Sequence, residues 1–253
     1  MELLNKNILI TGAAQGIGRG IAEACLAQGA NVFLLDINED ILKATVNELK
    51  QTYSTKILSE QCELTNAENF KESLAKGVND LEVFHGFCNS AASSQGIGPF
   101  ETFSNKDFDA TLNLSFKIVW TCLKEEIAYL RSNHIHGSIV NISSNSAIRG
   151  YAFNSIYAAS KAAVNNLSQS VAKEVAKDKI RINVVSPGTI NTPGVKAYFD
   201  KEPTAREKLE KTILLKRLGE PIEIGHTVSF LLSERSSYIN GQIISVDGGS
   251  SIY

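Results

Sequence analysis

The sequence predicts an α/β fold: one doubly wound sheet of about seven parallel strands with helices on both faces. Three observations carry this. Short apolar runs alternate with helix-length amphipathic segments along almost the whole chain, and strands so separated need crossover connections, which a parallel sheet provides. The runs Val32-Phe33-Leu34-Leu35 and Ile139-Val140 are continuously apolar, as strands covered on both sides require. No linker, low-complexity stretch or internal repeat divides the 253 residues, so residues 1–253 read as one domain.

Taken in order, Asn7–Thr11 is a first apolar strand, followed by a glycine turn and a helical pattern over residues 17–28 that Gly29 ends as a left-handed cap. Asn31–Asp36 is the second strand, residues 38–51 an amphipathic helix, 55–62 the third strand and 66–79 another helix. Residues 83–88 form the fourth strand, and 105–132 are long enough for one helix of many turns. The fifth strand covers 137–143, a helix 155–176, the sixth strand 180–185 and the seventh 242–246. Residues 189–220, rich in charge and threonine, break the alternation, and a long insertion in a compact domain suggests a substrate loop or lid.

Apolar residues make up 43% and charged residues 21%, the proportions of an ordinary globular protein. With 25 basic and 27 acidic residues, the formal net charge of −2 gives no reason to expect nucleic acid or an anionic membrane as partner. Cys25, Cys62, Cys88 and Cys122 lie singly in apolar stretches and read as buried reduced thiols rather than disulfides or a zinc site. The N-terminal residues lack a signal-peptide core, and no apolar run approaches the roughly 18 residues needed to span a bilayer. The setting expected is cytoplasmic.

Thr11-Gly12-Ala13-Ala14-Gln15-Gly16-Ile17-Gly18 joins the first strand to the first helix. Small residues there let a pyrophosphate approach backbone N–H groups at a helix N-terminus. A glycine turn alone is often just a tight connection, but here strand and helix fall where the motif needs them. Gly12, Gln15, Gly16, Ile17 and Gly18 are therefore candidate cofactor contacts. Asp36 ends the second strand, eighteen residues after Gly18, with Ile37 beside it. A carboxylate there accepts hydrogen bonds from both ribose hydroxyls of an adenosine and repels a 2′-phosphate; the alternative role is a helix N-cap. No arginine follows Asp36, Gln15 stands where a basic residue could hold a phosphate, and Arg19 reads as a surface or packing residue. The cofactor expected is NAD rather than NADP.

In Tyr157-Ala158-Ala159-Ser160-Lys161 the phenol and the ammonium are four residues apart, on one helix face. A free tyrosine, with a pKa of about 10, is a poor proton carrier at neutral pH, and a fixed positive charge favours its phenolate. The spacing is common on solvated helices, so its meaning rests on a cofactor site facing it.

Seven motifs in fixed order, residues 11–18, Asn89-Ser90-Ala91-Ala92, Asn113, Ser144, the Tyr157/Lys161 pair, Pro187-Gly188 and Val246-Asp247-Gly248-Gly249, make the chain resemble the classical short-chain dehydrogenase/reductase family over essentially all its length. The resemblance implies a Rossmann-like fold and hydride transfer between NAD(H) and a secondary alcohol or ketone, with no metal required. By it, Ser144 polarises the substrate carbonyl, with Ser143 the neighbouring candidate, and Tyr157 carries the proton. Lys161 holds the nicotinamide ribose and depresses the phenol pKa, and Asn113 binds a water linking Lys161 to solvent. Asn89 and Ala91 lie near the cofactor, Pro187 and Gly188 follow the sixth strand, and Thr189, Ile190 and Thr192 embrace the carboxamide. Glu63 and Leu64 stand at the adenine, Glu63 where the family has aspartate; Ala92 replaces a family glycine. The family is usually tetrameric, and Ala158, Ala159, Ala162 and Ala163 give the Tyr157 helix a small-residue surface for a partner subunit, a homotetramer or homodimer being expected; the strand Ile243-Ile244-Ser245-Val246 suits a second interface. A 3-oxoacyl-carrier-protein reductase is the alternative enzyme; such enzymes generally use NADPH, which Asp36 argues against. A non-catalytic dinucleotide sensor is the alternative from another class, but such proteins commonly lose the tyrosine or lysine.

Substrate choice is expected to lie in residues 93–103, 147–154 and 189–216, with Tyr151, Phe153, Tyr198 and Phe199 as an apolar wall and Ser146 and Asn154 as polar points; the alternative for Tyr198 and Phe199 is packing within a closing lid. Phe116, Trp120 and Leu123 recur at core spacing, His85 reads as a packed strand residue, and His134 and His136 as a surface turn. Lys208, Lys211, Lys216 and Arg217 read as a solvated helix face, with docking of an acidic substrate or carrier the other use.

Overall fold

Seven strands, β1 (Asn7–Thr11), β2 (Asn31–Asp36), β3 (Ile57–Gln61), β4 (Gly86–Asn89), β5 (Ser138–Ile142), β6 (Arg181–Pro187) and β7 (Ile243–Val246), form one sheet. The computed structural model describes residues 1–93, 97–202 and 204–252. Strand order is β3-β2-β1-β4-β5-β6-β7, and every neighbouring pair is parallel. The direction of winding reverses between β1 and β4, which opens a crevice at their carboxyl ends.

Strand alternation builds two cores. Ile8, Ile10, Val32 and Leu34 face one side, packed by Ile21 and Cys25 of α1 (Gly16–Ala27), Leu42 and Val46 of α2 (Glu39–Thr52), and Ile224 and Val228 of α9 (Pro221–Leu232). Leu9, Phe33, Leu35 and Phe87 face the other, covered by Phe70 and Leu74 of α3 (Ala67–Leu81), Cys122 and Ile127 of α5 (Ile118–Ser132), and Val164 and Val175 of α6 (Ser155–Val175). This two-sided burial is why the strands read as unbroken apolar runs. α1 and α9 pack closely: a Cβ on Gly225 would lie 2.3 Å from the Gly20 carbonyl oxygen.

Local signals place the element ends. Gly29 follows α1 at φ 86°, as its left-handed cap requires. The Asn38 side chain caps α2 by accepting from the Ile41 N–H, so Asp36 is not the cap. β4 begins at Gly86 rather than residue 83, because the Phe84 N–H is donated to the Tyr129 hydroxyl.

Two expectations are corrected here. The helix expected over 105–132 is two, α4 (Asn105–Leu112) and α5, joined by a π-helical turn at Asn113–Lys117 in which the Ile118 N–H reaches back to the Asn113 carbonyl. Trp120 is not core: it is 46% exposed, with Lys124 Nζ 5.8 Å from its ring centroid. The insertion between β6 and α9 carries two short helices, α7 (Pro193–Lys201) and α8 (Ala205–Lys211). All four cysteines are buried and free. Among the described residues no helix is long and apolar enough to cross a membrane.

Candidate active site

A cleft of about 490 Å³ lies at the carboxyl ends of the strands, where the winding reverses. Gly12, Gln15, Ile17, Gly18, Asp36, Ile37, Glu63, Leu64, Ala91, Tyr157, Lys161, Pro187, Gly188 and Thr192 line it, bringing together fourteen of the residues expected at a cofactor.

The glycine turn forms its floor. Gly12 sits at φ 67°, where a side chain is strained, and a Cβ there would lie 2.7 Å from the Ala91 Cα. A Cβ on Gly18 would fall 2.0 Å from the Gly12 carbonyl oxygen. α1 therefore begins hard against the turn, and no side chain caps its N-terminus at Gln15. First-turn N–H groups left without a side-chain partner, at a turn built of small residues, suit a pyrophosphate. Gly16 lies outside the lining; a Cβ there would stand 3.3 Å from Thr192 Cγ2, against the loop after β6.

Asp36 braces this end. Its Oδ2 accepts the Ala14 N–H at 3.0 Å and its Oδ1 the Asn38 N–H at 3.0 Å, tying the glycine turn to the β2–α2 connection while the carboxylate lines the cleft. Arg19 is held by Glu23 at 2.9 Å and by Glu48 at 2.8 Å. Glu63 turns into its own loop, accepting from the Thr65 N–H at 3.1 Å and hydroxyl at 2.7 Å.

At the other end, Lys161 is 1% exposed and its ammonium donates to the Ile142 carbonyl at 2.9 Å. Ser143 is buried and spends its hydroxyl on the Lys161 carbonyl at 3.2 Å. Ser144 is only half-buried and hydrogen-bonds the Tyr157 hydroxyl, while its oxygen also accepts from the Ser146 N–H at 3.2 Å and hydroxyl at 2.9 Å. The competition between the two serines thus ends with Ser143 as a strand-to-helix tie and Ser144 beside the phenol.

Protonation differs from the expected picture. Burial pushes the Tyr157 phenol up to about 12, with the Ser144 hydrogen bond acting in the opposite direction. Burial likewise brings the Lys161 ammonium down to about 8. Lys161 does not bring the phenol into the neutral range here, because desolvation of both groups outweighs an ammonium 5.8 Å from the ring centroid and bonded to a carbonyl.

Some expected residues stand outside the lining. Asn113 opens the π-helical turn next to α6. Asn89 is buried behind the cleft, and Ile190 is buried beside a neighbouring cavity that Thr189 also lines. Tyr151, Phe153, Tyr198 and Phe199 lie outside the lining of this cleft; Phe153 is 61% exposed, and Tyr198 packs on Phe199 with centroids 5.8 Å apart. Of the 93–103 stretch, residues 94–96 lie outside those described. In the basic cluster, Lys211 pairs with Glu207 and Arg217 with Glu223. The lining also takes in Ser143, Ser90, Ala92 and Ser93, which belong to stretches the sequence singled out, and Cys62, Thr65, Leu114, Ile118 and Ile142, which sequence reading missed. Most adjoin a motif residue, which was the available signal; Leu114 and Ile118 come from the π-helical turn and the start of α5, which no spacing announces.

The family model described as Enoyl-(Acyl carrier protein) reductase matches residues 12–251. The chain is 34% identical to the 3-oxoacyl-(acyl-carrier-protein) reductase FabG of Thermotoga maritima, over 98% of this chain and 99% of that protein. It is 31% identical to the levodione reductase of Leifsonia aquatica, over 96% of this chain and 93% of that one. A crystal structure of levodione reductase superposes with a TM-score of 0.93 at 29% identity, covering 99% of each chain.

Proposed function

The chain belongs to the classical short-chain dehydrogenase/reductase family, a group of oxidoreductases of alcohols and ketones, and from that premise we propose that it transfers hydride to and from NAD rather than NADP, with Tyr157 as the general acid/base. The observation that carries the reading is the cleft itself: Asp36 lines one end, Tyr157 and Lys161 the other, and between them lies a glycine turn whose Gly12 and Gly18 leave no room for a Cβ.

The residues divide the work by position. Gly12, Gln15, Gly16, Ile17 and Gly18 present backbone N–H groups to the pyrophosphate. Asp36 accepts from the adenosine ribose hydroxyls, and Arg19, the nearest cation in sequence, is committed to Glu23 and Glu48. Ile37, Glu63 and Leu64 bound the adenine, while Ala91, Pro187, Gly188 and Thr192 bound the nicotinamide. When bound, the dinucleotide supplies or takes the hydride, so the protein needs only to position groups and move a proton. Ser144 polarises the substrate oxygen, and Tyr157 donates a proton to it in reduction or accepts one in oxidation. Lys161 holds the ribose hydroxyls and, with its ammonium close to the phenol, stabilises the phenolate formed in reduction. Asn113 orders water on the route from Lys161 to solvent.

An NAD-linked screen of secondary alcohols followed by NADH absorbance tests this, turnover that vanishes in Tyr157→Phe being the supporting outcome. A 3-oxoacyl-thioester reductase is a second reading, favoured by the name of the Thermotoga maritima relative. Turnover of an acetoacetyl thioester with NADPH well above that with NADH selects it.

Residues 1–253 are taken as one domain. A homotetramer is supported by Ala159 and Ala162, exposed on α6, and by Phe108 and Trp120, exposed on α4 and α5. Four buried free thiols fit a cytoplasmic setting.

A further inference from the structure

A chain of buried polar side chains crosses the sheet behind the cleft. Glu126 of α5 is fully buried, and Asn89, the last residue of β4, donates from Nδ2 to Glu126 Oε2 at 3.0 Å. The same Nδ2 donates to Asn141 Oδ1 at 2.9 Å, and Asn141 Nδ2 to Ser168 Oγ at 2.9 Å. The Ser168 hydroxyl is committed to the Val164 carbonyl at 2.7 Å, which fixes the orientation of both amides. The network thus joins α5, the tip of β4, β5 and the helix that bears Tyr157 and Lys161. The hydride transfer proposed for the cleft has no use for a carboxyl at this place.

Among the described residues no lysine, arginine or histidine pairs with Glu126. The ionisable groups facing it are the Cys88 thiol of β4 and the Cys122 thiol of α5, both held neutral by burial. From β5 and α6 the network takes in the Asn141 amide and the Ser168 hydroxyl. An ionised carboxylate with one hydrogen bond and no counter-charge is costly in such a site.

Two buried atoms of this network have no partner, Glu126 Oε1 and Asn89 Oδ1. They are the remaining oxygens of the two residues already joined by one hydrogen bond. Neither has a proton to give if Glu126 is a carboxylate; one proton on Oε1 satisfies both. We propose that Glu126 is a carboxylic acid in the native protein and donates from Oε1 to Asn89 Oδ1, closing a two-hydrogen-bond ring that positions the tip of β4 beneath the cofactor cleft. Burial pushes this carboxyl up to about 8, in keeping with the geometry. From Asn89 the chain runs directly into Ser90, Ala91 and Ala92, which line the cleft, and the Ser90 and Ala91 N–H groups are held by Thr11 Oγ1. Glu126 is a positioning residue: losing its proton breaks one side of the ring and loosens that lining. This last step rests on the cleft being the dinucleotide site; the protonation state does not.

Infrared difference spectra of the wild type against Glu126→Gln at neutral pH test the protonation directly. A protonated-carboxyl C=O stretch that shifts in D₂O and is missing in the variant supports the proposal, and carboxylate bands in its place overturn it. The carboxamide of this variant can form the same ring without titrating, so stability against pH gives a second readout. The folded carboxyl titrates above its unfolded value of 4.5, so the wild type should lose stability relative to the variant as pH rises from 4.5 to about 8. The unfolding constant then shifts on the order of a thousandfold across that window, and a flat difference overturns the proposal. Should the variant fail to fold, alkaline titration of the same band in the wild type decides. Calorimetry with NADH and with NADPH tests the positioning role: the dissociation constant of the better-bound dinucleotide should rise above pH 8 in the wild type more steeply than in the variant. Since Lys161 titrates in both proteins, parallel curves refute the positioning role while leaving the protonation result standing. If neither dinucleotide binds, the dinucleotide assignment fails, and the positioning role falls with it.

Discussion

Replacing Lys161 by methionine sets stability against function. Lys161 is buried to 1% exposure, and its ammonium is lowered from the ordinary 10.5 to about 8 by that burial. At 1.36 kcal/mol per pH unit this corresponds to a desolvation cost of about 3 kcal/mol at pH 7. Its sign follows from the folded pKa being depressed for a cation: between pH 8 and 10.5 the unfolded chain holds the proton and the folded chain does not. Wild-type stability from this group therefore rises with pH across that window, and the cost is complete below it. Methionine removes the cost but also the 2.9 Å bond to the Ile142 carbonyl, worth about 1–3 kcal/mol when a buried partner is left behind. The variant should be from unchanged to about 2 kcal/mol more stable than wild type at pH 7, and should lose about 3 kcal/mol relative to it by about pH 10.5. Urea unfolding of both proteins at matched concentration over this pH range measures the difference, and titrations common to both cancel. A difference that stays constant with pH would refute a buried, depressed ammonium. Activity should be lost throughout, the usual trade between a strained site and stability.

Two further outcomes test the floor and the proton carrier. Tyr157→Phe should lower kcat by about 10²–10⁴-fold while NADH fluorescence titration still shows binding; activity near wild type would remove the phenol from the mechanism. Gly12→Ala places a Cβ 2.7 Å from the Ala91 backbone at a positive φ, which should cost about 1–3 kcal/mol in denaturant unfolding and abolish dinucleotide binding; wild-type behaviour in both assays would show that the floor can yield.

The sheet was legible because its strands are covered on both faces, so Val32-Phe33-Leu34-Leu35 reads as a strand wherever it is packed. The glycine turn and Asp36 were legible because strand, turn and helix are contiguous and one motif specifies their geometry. What escaped depends on contacts between distant segments. The π-helical turn at Asn113–Lys117 shifts hydrogen bonds by one residue and leaves no mark on composition. Trp120 has core spacing with its neighbours, yet it is 46% exposed on α5, with Lys124 over its ring. The Tyr157 phenol was expected to be tuned by the charge one turn away; burial, which no local spacing reports, moves it the other way. Glu126 looks like part of a solvated Lys124-Glu125-Glu126 run. Its register with Val119, Cys122, Leu123 and Leu130, all buried, was the signal that it points inward.

The proposal that the Asp36 end of the cleft selects NAD can be checked by binding alone, without a substrate. Isothermal calorimetry of the wild-type protein with NADH and with NADPH at one ionic strength should show NADH binding at least about tenfold more tightly, a difference of about 1.4 kcal/mol. Equal affinities, or tighter binding of NADPH, would contradict the assignment of Asp36 as the ribose acceptor.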